Sequence, residues 1–187
     1  MLVVEEYEHA RRRGGKIYGE ITGYGTAQDA YRVTDTHPDG RGTIAAMNRA
    51  LADAKLPETS IDYVNAHGTG TQLNDKVETQ ALKQVFANHA YSLPISSTKS
   101  MLGHATTACG AIELAACLLA MQSDVIPPTI NLDNADPNCD LDYVANAARD
   151  RRCENILTNN IGFGGQNAAL VVSRVSQESR ASTRRVA

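Results

Sequence analysis

Along this chain, short stretches that alternate apolar and polar residues give way repeatedly to stretches in which apolar residues recur every three or four positions, the signatures of strands and helices in turn. Lys16-Ile17-Tyr18-Gly19-Glu20-Ile21-Thr22-Gly23-Tyr24-Gly25 alternates as a strand, with small residues where a second layer can approach. From Thr43 to Lys55 the alanines, Met47 and Leu51 recur at helical spacing, and Pro57 stops the run. Ile61 to Ala66 reads as a strand, Lys76 to about Asn88 as a helix and Leu93-Pro94-Ile95 as a short buried strand. Gly103 to Gln122 is small and apolar on nearly every face, which predicts a buried helix. Ile156 to Asn160 and Ala168 to Ser173 read as two closing strands joined through glycines. At the start, Leu2-Val3-Val4 has the pattern of the tail of a buried strand, followed by a charged helix from Glu5 to Arg13 that Gly14 ends. Pro127-Pro128 opens an extended crossing segment that runs to Asp136-Pro137. After Val175 the periodicity stops, which predicts a frayed tail over residues 176–187. Strands alternating with helices give an α/β layered fold.

Three residues break the apolar pattern of the longest helix and the turn before it. Lys99, His104 and Glu113 are polar or ionisable where burial is expected, and such groups are costly to bury without partners. A site is one reason to tolerate that cost. The plainer alternative has His104 capping a helix, Lys99 reaching solvent and Glu113 paired with a core hydroxyl. A second strand, Ile61 to Ala66, delivers His67 into Gly68-Thr69-Gly70-Thr71 ahead of a helix. Loops at the carboxyl ends of strands in α/β folds are where ligands bind. A third polar segment, Asn159 to Asn167, contains Gly162, Gly164 and Gly165, which allow the backbone close to a ligand. These three loops can meet at one pocket.

Composition narrows the class. A chain of 187 residues with 42% hydrophobic and 21% charged residues and a net charge of −3 is an ordinary globular composition without a nucleic-acid footprint. The apolar run from Ala108 to Met121 contains Glu113 and falls short of the roughly 20 residues of a membrane span, so it belongs in a core. No basic-then-apolar leader opens the chain, since Glu5 and Glu6 follow three apolar residues, and a cytoplasmic location is expected. Cys109, Cys117, Cys139 and Cys153 lack C-x-x-C spacing and read as reduced thiols. Gly23-Tyr24-Gly25 is not a dinucleotide fingerprint, because Gln28 stands where the third glycine would be. Neither His67 nor His104 has a carboxylate or cysteine at ligand spacing, so no metal is expected.

AHGTGT at 66–71, STKSMLGH at 97–104 and GFGG at 162–165, in this order, closely resemble the C-terminal half of the β-ketoacyl-acyl-carrier-protein synthases, condensing enzymes of the thiolase superfamily. The resemblance covers Leu2 to about Val175. Elongating synthases of fatty acid synthesis and ketosynthases of type II polyketide systems are the nearest members, and NDKVET at 74–79 and CDLDYV at 139–144 lean towards the latter. The resemblance implies the C-terminal half of a thiolase-like αβαβα fold, with residues 1–14 closing an N-terminal half that is missing and residues 15–175 forming the synthase C-terminal domain. It also implies a decarboxylative Claisen condensation of an acyl thioester with malonyl-acyl-carrier-protein, without a cofactor. The implied partners are acyl carrier protein bearing acyl and malonyl groups and the missing half, with a dimer when complete.

Residue by residue, the resemblance gives His67 and His104 the task of stabilising the enolate as neutral N–H donors, with His104 at a helix start whose dipole disfavours imidazolium. Lys99 is catalytic by orienting them, and Glu113 supports it. Phe163 is the gating aromatic whose backbone N–H helps form an oxyanion hole, and Thr69, Thr71, Gly162 and Gly164 bind substrate. Thr107 stands where many members carry glycine, and Ile161 where an aromatic is common. The family's nucleophilic cysteine belongs to the other half. Cys109 lies five residues into the expected helix, at a packing position, and is not expected to replace it. The alternative reading is a non-catalytic ketosynthase-like partner subunit. Degradative thiolases would carry a second cysteine in the last glycine loop, and initiating synthases an asparagine at His104.

Overall fold

The computed structural model describes residues 1–175, so the tail expected at 176–187 lies outside the described residues. Five strands form one mixed sheet in the order β1-β7-β6-β2-β3. They are β1 (Glu20–Gln28), β2 (Tyr63–Asn65), β3 (Ile95–Ser96), β6 (Asn155–Gly162) and β7 (Gln166–Ser173). β1, β7 and β6 run antiparallel to their neighbours, whereas β6, β2 and β3 are parallel and carry their loops at one end. A separate two-stranded ribbon joins β4 (Val125–Ile126) to β5 (Arg149–Asp150).

Alternation along the strands sorts the core into two. Val64, Ile95, Leu157, Ala169 and Val171 pack with helices α2 (Arg41–Ala54) and α3 (Gln72–Phe86) on one face. Tyr63, Ile156 and Val172 point the other way, against α5 (Cys109–Ser123). The result is a helix–sheet–helix sandwich. At Gly23 and Gly25 the small residues do what their pattern predicts. A Cβ there would lie 2.1 Å from the Ala50 carbonyl and 2.0 Å from the Ala46 carbonyl, so α2 rests on the β1 backbone itself. Lys55 adopts the left-handed conformation that ends α2, two residues before Pro57.

Three expectations are corrected. Leu2-Val3-Val4 is not a strand: among the described residues no edge pairs with it, Val3 and Val4 are exposed, and the short helix α1 (Tyr7–Arg12) follows. The long helix does not begin at Gly103. A single helical turn, α4 (Lys99–Leu102), breaks at Gly103 with φ 75°, a 3-10 turn spans Thr106–Ala108 with Thr106 at φ 52°, and α5 starts only at Cys109. Cys109 is therefore the first residue of the helix rather than five residues in. Nor is α5 buried all round. Leu114, Cys117, Ala120 and Met121 face the sheet, while Leu119 is 65% and Ile112 37% exposed on the opposite side, where no described element covers them. Thr106–Ser123 is long and apolar enough to cross a membrane by length and composition alone, yet it is built into this second core and carries the ion-paired Glu113.

Candidate active site

His67 leaves the carboxyl end of β2, and a buried carboxylate fixes the loop it enters. The backbone N–H groups of His67 and Gly68 each donate to Glu78 on α3 at 2.8 Å, and Asn159 Nδ2 donates to the same carboxylate at 2.8 Å. Gly68, at φ +38°, lets this loop touch the next: a Cβ there would lie 2.5 Å from the Ser97 Cβ, and the Ser97 hydroxyl donates to the Gly68 carbonyl at 2.7 Å.

From that second loop Lys99 turns inward at the first position of α4. Its Nζ forms an ion pair with Glu113 on α5, both side chains being almost wholly buried. Asn160, on the β6 face towards α5, bridges the group. Its Nδ2 donates to the second Glu113 oxygen, while its Oδ1 lies 3.5 Å from Lys99 Nζ and 3.1 Å from His67 Nδ1. His104 sits in the irregular segment between α4 and α5, exposed, with its ring centroid 5.6 Å from that of His67 and nearly perpendicular to it. Its Nδ1 accepts the Thr106 N–H at 3.0 Å and lies 3.5 Å from the Cys109 sulfur.

Burial, together with the Lys99 charge, pushes the His67 imidazole down to about 4, against the opposing pull of the Asn160 hydrogen bond and Glu113. His67 is thus uncharged at neutral pH. Burial accounts for this, and His104 does not stand at the start of α5 as expected, because α5 begins five residues beyond it, out of reach of its dipole. Buried Cys117 and Cys153 are thiols held protonated by desolvation.

The structure therefore brings together His67, Lys99, His104 and Glu113. Phe163 lies three residues beyond Asn160 and is 78% exposed. Its loop is tied down by Gly164, which donates to the Val33 carbonyl at 2.6 Å, and by Gly165, packed on buried Asp29. Gly162 ends β6 in an extended conformation, while Gly164 sits at φ +80°. Thr69 and Thr71 bond to each other at 2.9 Å on the exposed part of the first loop, away from the buried network. Sequence reasoning missed Glu78, Asn160 and Asp29. Glu78 was discoverable, since it shares a helical stripe with Leu82 and Val85, and Asn160 continues the strand face of Ile156 and Thr158. Asp29 left no periodic signal.

Residues 18–133 match the family described as beta-ketoacyl synthase, C-terminal domain. The chain is 50% identical over 174 residues to a granaticin polyketide putative beta-ketoacyl synthase 1 of Streptomyces violaceoruber, covering 93% of this chain and 41% of that protein. It is 47% identical, over 93% of its length and 42% of the relative's, to 3-oxoacyl-[acyl-carrier-protein] synthase 2 of Coxiella burnetii. Among solved structures, a type II PKS acyl-carrier protein in complex with its ketosynthase bound to the hexaketide superposes with a TM-score of 0.89 at 39% identity, covering 92% of this chain and 42% of the other. The chain thus spans less than half the length of these relatives.

Proposed function

Because this chain belongs to the β-ketoacyl synthases, matching their C-terminal domain, we propose that it supplies the histidine side of a site for decarboxylative condensation of an acyl thioester with malonyl-acyl-carrier-protein. The acylated thiol comes from the complementary half of the synthase. As carbon dioxide leaves the malonyl group, negative charge grows on the thioester oxygen, and a fixed N–H donor lowers the barrier to that step. His104 is such a donor. Two hydrogen-bond donors already occupy its Nδ1 surroundings, so its ring proton resides on Nε2. His67 stands beside it, and the Lys99–Glu113–Asn160 network holds that ring in place. Lys99 does not touch substrate in this scheme. Phe163 gates the acyl pocket by swinging its exposed ring and offers its backbone N–H to the acyl thioester oxygen, Gly162 and Gly164 leave room for substrate beside it, and Thr69 and Thr71 line the approach of the carrier's arm. The bearer of both substrates is acyl carrier protein, in the cytoplasm.

The observation that carries this reading is the convergence of exposed His104 on the buried polar network of His67, Lys99 and Glu113, brought together from separate loops and α5. A non-catalytic partner subunit would have no use for so complete a set. The test is to combine the chain with a complementary half bearing the cysteine segment and to follow acyl transfer and carbon dioxide release separately. Condensation by the combined halves and none by either alone is expected. Turnover by this chain alone that Cys109→Ser abolishes would overturn the assignment.

A further inference from the structure

We infer that Asn160 is a positioning residue that keeps the ring proton of His67 on Nδ1, so that the two histidines meet the substrate with opposite polarity, His104 as donor and His67 as acceptor. The amide has only one acceptable orientation. Its Nδ2 faces the Glu113 carboxylate, which can only accept, and its Oδ1 faces Lys99 Nζ at 3.5 Å, which can only donate. Turning the amide over would set NH₂ against an ammonium and a carbonyl against a carboxylate. With Oδ1 fixed, the atom 3.1 Å away, His67 Nδ1, must be the donor, because two acceptors cannot bond. The ring is uncharged in its buried setting, so Nε2 is left with a lone pair alone.

His104 is the mirror case. Its Nδ1 receives the Thr106 N–H at 3.0 Å and faces the Cys109 thiol at 3.5 Å, which puts the ring proton on Nε2. Among the described residues, neither Nε2 has a hydrogen-bond partner. This replaces the expectation of two converging N–H donors. An acceptor offers nothing to an oxyanion and suits a group that carries hydrogen, so only His104 of the pair serves the thioester oxygen directly. Lys99 Nζ and His67 Nδ1 share Asn160 Oδ1 as their common acceptor, so removing that oxygen takes away what holds the proton on Nδ1 beside an ammonium.

The bearing on catalysis rests on the function proposed above, but the position of the ring proton does not and can be read without substrate. Ring-nitrogen NMR on the assembled synthase, labelled with isotopic histidine, assigns the His67 signals by their loss in His67→Gln. The expected result is a protonated Nδ1 on His67 and a protonated Nε2 on His104. In Asn160→Ala the His67 proton should shift to Nε2, and Asn160→Ser should do the same, since the shorter side chain falls short of the ring. Both rings protonated on the same nitrogen in the unaltered protein, or a His67 signal unmoved by either substitution, overturns the inference. The unaltered protein alone decides the polarity if neither variant folds. Correct ring protons in a synthase that does not condense would sink the proposed function and leave Asn160's role standing.

Discussion

Which nitrogen holds a proton, and at what pH, decides what each histidine can do. His104→Ala in the reassembled enzyme should slow malonyl decarboxylation by about 10²–10³-fold, the usual loss for one oxyanion donor, while acyl transfer to the thiol changes less. Separate measurement of the two steps checks this, and equal losses in both would refute it. His67 adds a stability effect. Its imidazole is held near 4 in the folded state, below its unfolded value of about 6.5, so the unfolded chain binds more protons in between. The contribution is complete above about pH 6.5 and falls away as pH drops towards 4, amounting to about 2 kcal/mol between pH 7 and pH 5. Chemical denaturation of the assembled protein at the two pH values should show that drop, and His67→Gln should remove that part of it. The histidine itself was legible in the sequence, since a strand ending at Ala66 announces it. Its neighbour Asn160 was not, because an asparagine beside glycines reads as loop polarity until the strand's facing is known.

Between elements, the Lys99–Glu113 pair ties α4 to α5 across the break at Gly103. Removing one partner leaves a buried charge uncompensated, so Glu113→Ala should cost about 3–5 kcal/mol. The double change Lys99→Met with Glu113→Leu should recover most of that stability while leaving the enzyme impaired, a contrast that denaturation and decarboxylation assays read together. Glu78→Ala should loosen the first loop by leaving the His67 and Gly68 N–H groups without their acceptor, at about 1–3 kcal/mol each if buried water does not replace it. The strands and α2, α3 were legible because alternation and helical spacing report one buried face each. The start of α5 was misread for a physical reason. Ala105 to Ala108 is small and weakly polar, as in a helix, but Thr106 at φ 52° and Gly103 at φ 75° break the backbone in a way that side-chain polarity does not record.

At the scale of the whole molecule the two cores are unequal. The one between the sheet and α2 and α3 closes on itself, whereas the one beneath α5 leaves Ile112 and Leu119 uncovered. Exposed apolar surface of this kind drives association. The isolated chain should self-associate, and Leu119→Lys should favour the monomer in analytical ultracentrifugation. A sharp, freely soluble monomer without that substitution would count against the open face being an interface. An apolar helix was read correctly from composition, but composition reports what a helix shuns and not whether its cover belongs to the same chain.

That inequality sets an order of events. Amide hydrogens of β2 and α3 should resist exchange before any partner arrives, while those of α5 should not, since local stability follows the buried contacts on each side. The polar network proposed to serve catalysis hangs from the unfinished side, from Glu113 on α5 and Asn160 on the facing strand. A free chain would then hold His104 and the Lys99–Glu113 pair on a wall that is still moving. Malonyl thioesters are easily squandered by decarboxylation that leads to no new carbon–carbon bond, and a donor that becomes rigid only on assembly would keep an orphan half from spending them.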